Sequence, residues 1–396
     1  MDKRIFWLAV GSFTISTEGF VISTLLPAIA ADAHVTVATA GLLITAFAFS
    51  YALGGPVLAT LTGTWDRRWV IVSTMVLFVV GNLVAAASSS FAILMVARVL
   101  MALASGLFAA TAQATAVSLV DDHHRARAIA VVVGGTTVAV ALGAPLGALI
   151  AEAYGWRGTF VVIAALGAVA ALVLGWRLPR GLQGSRLPMT DRLAAAVAPG
   201  MPAMLLVTFL CLAGAFTVLS YIAPLATRAA GLSAMALPGM LLAFGVGAVI
   251  GNFAGGQLSD RFGAGRTVLG ALFANTIMLL SLSLIPALLP RSLAGPVLIA
   301  AMVPWGIVGW AFMPGQVSRI VAHAPGAAAV VLSLNGTALY LGVALGSLVG
   351  SEILRLGDPV DLGWVAAVFQ LASIAIVLAS RDKASSSRGQ YAVVAD

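Results

Sequence analysis

Residues 5–28 read IFWLAVGSFTISTEGFVISTLLPA, an unbroken apolar run with one acid, Glu18, near its middle. A bilayer core takes about 20 such residues as a helix, so this stretch is long enough to span. It follows Met1-Asp2-Lys3-Arg4 and is succeeded by another apolar run, not by a polar mature domain. A cleaved signal peptide has a shorter apolar core and a polar sequel, so the segment reads as a retained first membrane helix.

The same length and apolarity recur along the chain. After 5–28 come 37–62, 69–88, 91–118, 126–150 and 156–176, then 201–224, 234–258, 266–288, 293–317, 325–350 and 361–379. Twelve spans predict an all-α polytopic membrane protein. Outer-membrane barrels need alternating segments of about ten residues, and these runs are apolar on every face. Composition agrees: 61% of the 396 residues are hydrophobic and 9% are charged, against roughly 25% charged in soluble domains. The 42 glycines suit close helix packing in lipid.

The net charge of +7 does not point to a nucleic-acid partner, because the basic residues sit singly or in pairs between apolar runs. With the N-terminus inside, 16 of the 21 Lys and Arg residues fall in cytoplasmic connections and four on the other side, with Arg98 inside a span. The positive-inside rule then places both termini in the cytoplasm, which predicts a multi-pass protein of the bacterial inner membrane. One cysteine, Cys211, excludes an intrachain disulfide and a cysteine-based metal site. The adjacent His123 and His124 lack ligand spacing, so no metal is expected. No P-loop, His-Glu-x-x-His or nucleophile-elbow motif is present, and no polar segment is long enough for a nucleotide-binding domain, so no enzyme is expected.

Residues 177–200 form the longest polar connection and divide the spans six and six. The expected domains are a first bundle at 1–176, a cytoplasmic linker at 177–200, and a second bundle with a short tail at 201–396. The halves repeat. Leu26-Pro27 matches Ala223-Pro224, Asp66-Arg67 matches Asp260-Arg261, and Leu142-Gly143-Ala144-Pro145-Leu146-Gly147 matches Leu341-Gly342-Val343-Ala344-Leu345-Gly346, at offsets of 197, 194 and 199. Repeated bundles suit alternating access around a midplane site.

Glu18 is the acid set deep in a span, and Arg98 is the deep base. A charge in hydrocarbon is costly and faces a partner or an aqueous cavity. At 1.5 Å per residue, Glu18 lies about 13 Å before Pro27 and Arg98 about 10 Å beyond Phe91, in one layer. They are placed to pair directly or through water. Desolvation favours the neutral acid, and Arg98 favours the charged one; the sequence leaves that balance open. Candidate cavity residues are Phe13, Tyr51, Gln113, Phe216, Tyr221, Trp305, Trp310 and Asn335. In span five, Gly134, Gly143 and Gly147 allow a neighbouring helix to approach, and Pro145 frees a carbonyl and bends the helix.

These features resemble the major facilitator superfamily over residues 5–380, in the branch of twelve-span proton-coupled drug antiporters that includes chloramphenicol-resistance, sugar efflux and purine efflux proteins. Thr17-Glu18-Gly19-Phe20 and Leu25-Leu26-Pro27 resemble the opening of that branch, where the acid is a proton-site candidate. Gly256-Gln257-Leu258-Ser259-Asp260-Arg261, with Arg266, resembles its loop signature; the first-half copy, Thr62 to Arg68, keeps the Asp66-Arg67 core. In the family this core helps hold the inward gate closed. Arg98-Val99-Leu100-Met101-Ala102 resembles the span-four signature linked to proton transfer, with Met101 and Ala102 in place of its Gln and Gly. Gly134, Gly143, Pro145 and Gly147 resemble the antiporter signature, which implies export.

The resemblance implies two six-helix bundles and a monomer exporting a small, partly apolar compound, with an amphenicol-like antibiotic as leading substrate. The proton gradient is the energy source, and no cofactor is implied. Glu18 binds the proton and Arg98 tunes it. Two rival readings remain: efflux of sugars, nucleosides or purines by the same fold, and a non-transporting membrane sensor.

Overall fold

In the computed structural model, residues 3–121, 125–182, 194–324 and 328–392 are described. His123, His124 and part of the expected linker lie outside them. Every span becomes a helix: α1 (Lys3–Asp32), α2 (Val37–Leu61), α3 (Arg67–Ala86), α4 (Phe91–Ser118), α5 (Arg125–Val138) and α6 (Ala144–Arg177), then α7 (Met201–Leu219), α8 (Leu237–Phe262), α9 (Ala264–Leu288), α10 (Arg291–His323), α11 (Ala328–Leu356) and α12 (Asp361–Ala392). In lipid each backbone polar group must be satisfied inside its own segment, which leaves helices as the solution for apolar runs of this length. Polar side chains start them where the chain re-enters. Thr36 accepts from the Thr39 N–H, Asp66 from Arg68 and Ser90 from Ile93, as N-caps do.

Two spans differ in detail from the sequence reading. Span five is α5, a π-turn at Ala139–Gly143 and the first part of α6. The turn to span six is made at Gly155 (φ 73°), a left-handed conformation open to glycine. The π-turn precedes Pro145, whose missing N–H disrupts regular i to i−4 bonding. Span seven stops at Leu219; a short helix at Ile222–Pro224 and a second π-turn at Leu225–Ala229 follow.

The packing repeats between halves. In the first, α2 and α3 pack on α4, α3 packs on α6, and α1 packs on span five and α6. In the second, α8 and α9 pack on α10, α9 packs on α12, and α7 packs on α11 and α12. Each of these contacts of the first half has its counterpart six spans later, so the sequence repeat is also a structural one. The fold is two six-helix bundles.

Backbones approach through glycine. α8 carries Gly247, Gly251 and Gly255 on one face, where a Cβ would strike the backbone of Val303, Ile307 and Ala311 in α10. Such small-residue spacing replaces hydrophobic drive, which is weak between helices in lipid. The bundles meet along two seams. In one, α11 lies on α2: Ser351 Oγ donates to the Ala38 carbonyl at 2.7 Å, Ser347 to Gly41 at 3.2 Å and Thr337 to Ala52 at 3.3 Å. In the other, Gly245 of α8 sits on the backbone of Val140 and Ala141 in the π-turn. The first seam occupies the part of α2 nearer the α1–α2 connection.

Replacing Gly251 by Leu puts a side chain into the α10 backbone, and overpacking costs roughly 1–3 kcal/mol. Thermal unfolding in detergent should show a lower midpoint for Gly251→Leu. Gly270→Ala, where a Cβ meets nothing within 4 Å, should leave it unchanged.

Candidate functional site

Glu18 and Arg98 face each other across the first bundle. Neither is exposed, and Arg98 Nη1 forms an ion pair with Glu18 Oε1. Arg98 Nε also donates to the Leu43 carbonyl at 3.2 Å, and its guanidinium lies over the Phe47 ring at 4.3 Å. One cation therefore ties α1, α2 and α4 together. Glu18 Oε2 has no hydrogen-bond partner, so its charge is balanced by Arg98. Neighbouring polar groups look after themselves: Thr14 and Thr17 bond to carbonyls one turn back. Of the two arrangements open to the sequence, the direct pair is the one present.

Span five wraps the helix that carries Glu18. A Cβ on Gly135 would strike the Ala9 backbone, on Gly143 the Thr17 side chain, and on Gly147 Val21. Gly134, by contrast, has open space around its Cβ position; its neighbour Gly135 makes the close approach. Ser16 Oγ also donates to Thr136 Oγ1 at 3.0 Å. The π-turn ending at Gly143 thus lies one residue from Glu18 along α1.

The expected gating residues lie at the opposite face. Asp66 accepts from Arg68 N–H at 3.0 Å and from Gly181 N–H at 2.8 Å, and the Arg67 side chain donates to the Ala114 carbonyl at 3.0 Å. These ties stay within the first half and the start of the linker that follows it. Asp260, Arg261 and Arg266 are exposed, and a Cβ on Gly256 would meet open space.

The cavity candidates divide. Phe216 and Trp310 converge on Phe20, with ring centroids at 6.4 Å and 6.5 Å, so α1, α7 and α10 share an aromatic cluster between the bundles. Tyr51 stacks on Tyr340 of α11 at 3.6 Å. Phe13 and Gln113 are half-buried. Tyr221 and Trp305 are packed inside the protein in this structure. The Tyr221 hydroxyl donates to the Ser347 carbonyl at 2.9 Å, its ring filling space left by Gly41 and Gly350. Trp305 is 1% exposed and packs on Phe244. Asn335 is buried and accepts from Thr208 at 2.7 Å. Gln316 adds donors to the Met204 carbonyl at 2.7 Å and to Thr208 at 3.1 Å, and takes a bond from Arg319 at 2.9 Å. The sequence reading missed Gln316, although Gly309 and Gln316 stand 203 residues after Gly106 and Gln113.

Two repeated bundles, a charged pair sealed in the first and aromatic rings at the seam are now in place. The family model for the Major Facilitator Superfamily matches residues 8–347. The chain belongs to the Major Facilitator Superfamily. An Escherichia coli relative, the inner membrane transport protein YdhP, is 33% identical, with 88% of each chain covered. A chloramphenicol resistance protein from Streptomyces lividans is also 33% identical, over 89% of this chain and 90% of that one. Among solved structures, the human organic anion transporter MFSD10 superposes with a TM-score of 0.71 at 18% identity, covering 95% of this chain and 99% of that one. This superfamily member is therefore a membrane transporter by family, with bacterial relatives in the inner membrane.

The ion pair makes a stability prediction. Removing one partner of a buried pair leaves an uncompensated charge and costs about 3–5 kcal/mol, whereas replacing both with apolar groups is near neutral. Glu18→Leu and Arg98→Leu should each lower the unfolding midpoint in detergent, and the double variant should recover most of the loss. Additive losses would mean that the two groups are not coupled.

Proposed function

We propose that this transporter exports small, partly apolar compounds in exchange for protons, by alternating access. The observation that carries the reading is the Glu18–Arg98 pair, an acid and a base buried together in an otherwise apolar bundle. Such a pair is a proton switch. Protonating Glu18 removes the charge that faces Arg98; removing the proton restores it. The relative named a chloramphenicol resistance protein favours an amphenicol-like substrate. The Phe20, Phe216 and Trp310 cluster offers flat apolar surface between the bundles. The polar network around Gln316 and Asn335 is already bonded within itself, so it gives no separate support to a sugar or nucleoside cargo.

With both termini in the cytoplasm, the seam from Ala38 to Ala52 lies toward the periplasmic side, and substrate would be admitted from the cytoplasmic side. In that state Glu18 is paired, as expected after its proton has left to the cytoplasm. Substrate then enters between the bundles, which rock until the periplasmic seam parts. There substrate leaves and an outside proton neutralises Glu18. Arg98 keeps the Leu43 carbonyl and the Phe47 ring, which hold the guanidinium while its counter-charge is absent. The neutral site returns inward and releases the proton.

Proteoliposomes with an imposed pH gradient test this reading, with chloramphenicol as the probe. The wild type should concentrate the drug against its gradient, and Glu18→Gln should lose the proton-driven component. Equal pumping by both would remove Glu18 from the mechanism. For the topology, green fluorescent protein fused after Asp396 should fluoresce in cells, because it matures in the cytoplasm. A dark fusion of normal abundance would invert the assignment.

A further inference from the structure

Beside the ion pair, the seam between the bundles contains a narrow cavity. Gly19, Ile22 and Ser23 of α1, Ile44 of α2, and Phe216 and Ser220 at the end of span seven border it. It leaves about 10 Å³ for the centre of a water molecule, close to the room one water needs. Its position is specific. Ile22 is one helical turn beyond Glu18, and Ile44 follows Leu43, whose carbonyl holds Arg98. The cavity therefore lies one turn from the pair, toward the α2–α11 seam.

Ser220 is the unusual member of this lining. It is 1% exposed, and its hydroxyl has no hydrogen-bond partner. Other buried serines have partners: Ser105 and Ser23 bond back to Met101 and Phe20 in their own helices, and Ser347 and Ser351 bond across the seam to α2. Ser220 caps the end of α7 and borders the cavity with its hydroxyl unpaired. An unpaired buried hydroxyl is costly, and a water in the cavity would satisfy it. Ser23 supplies a second polar contact through its oxygen lone pairs. On the first-bundle side, a Cβ on Gly19 would meet nothing within 4 Å, so the backbone next to Glu18 leaves the space open.

We propose that this cavity holds one ordered water, positioned by Ser220 of the second bundle as the outward stepping stone for protons reaching Glu18. The role rests on the proton-exchange reading above; the water site does not. As the seam parts, a hydronium ion arriving from outside gives a proton to the held water. That water passes one of its own protons on, through water admitted by the parting seam, to the Glu18 carboxylate one helical turn away. Water is regenerated, the acid becomes neutral, and Arg98 loses its counter-charge. Arg98 is the charged group facing Glu18 in this region. α2 presents the Leu43 carbonyl and the Phe47 ring, and the π-turn presents Gly143 at Thr17. Ser220 is a positioning residue, because it acts through the water.

Two measurements on the full-length protein test the site. In X-ray hydroxyl-radical footprinting, radicals form from water itself and mark side chains beside bound water. Phe20 and Phe216 should be labelled in the wild type, lose the label in Ser220→Ala and keep it in Ser220→Thr. An unlabelled wild type, or labelling unchanged in Ser220→Ala, would overturn the water site. In proteoliposomes, Ser220→Ala should slow chloramphenicol export driven by a pH gradient by about five-fold, the worth of one hydrogen bond. Its pH profile should shift, and Ser220→Thr should restore both. Exchange of labelled for unlabelled drug at equal pH moves no net proton and should run at the wild-type rate. Equal loss of export and exchange would assign Ser220 to packing and overturn the role. A wild type that keeps the label but does not pump would instead refute the proton-exchange reading, leaving the water site intact.

Discussion

A charge in hydrocarbon has to be answered by an opposite charge, and here one pair answers it. Glu18 and Arg98 sit on different helices, and Arg98 reaches a third through the Leu43 carbonyl. Much of the first bundle follows from this. α1, α2 and α4 converge where the guanidinium needs them, and span five closes over α1 through Gly135, Gly143 and Gly147. The pair is coupled because both charges are desolvated together, and on the proton-exchange reading it is switchable for the same reason. A single proton on the acid removes the interaction that offsets the desolvation of both.

The second bundle repeats the architecture without the charge pair. Its buried polar side chains include a hydrogen-bonded set, Thr208, Gln316 and Asn335, at a different depth from the Glu18–Arg98 layer, and its backbones pack together through Gly247, Gly251 and Gly255. Among the described residues the buried ion pair belongs to the first half, while the aromatic cluster at the seam draws on both. The seams use small and hydroxyl-bearing residues: Gly41, Ser347 and Ser351 on one side, and Gly245 against the π-turn on the other.

The fold was legible because its signal is length and apolarity, and both survive in any order of packing. Spans, repeat and half boundaries come from runs that must each satisfy their own backbone. The break in span seven at Ser220-Tyr221 was not legible, because the apolar run continues through it. The layer shared by Glu18 and Arg98 was also readable, since depth follows from helical rise. Which aromatic residues face the seam was not. Phe216 and Tyr221 look alike as apolar positions in one span, yet the break in α7 turns Tyr221 into the packing against Gly41 and Gly350. Gly134 and Gly135 differ by 100° around a helix, and composition carries no record of that angle.

From its residues alone this protein had to be a bundle of about twelve membrane helices in two related halves, with one acid and one base at matched depth. Hydrocarbon enforces those features segment by segment. Tertiary structure decided the rest: that the two charges touch, that Arg98 also takes the Leu43 carbonyl, and that Ser220 is left with an unpaired hydroxyl at the seam. Those outcomes depend on how each helix is rotated about its axis and on where it breaks. Rotation is set by contacts between segments distant in sequence, so no single span contains it.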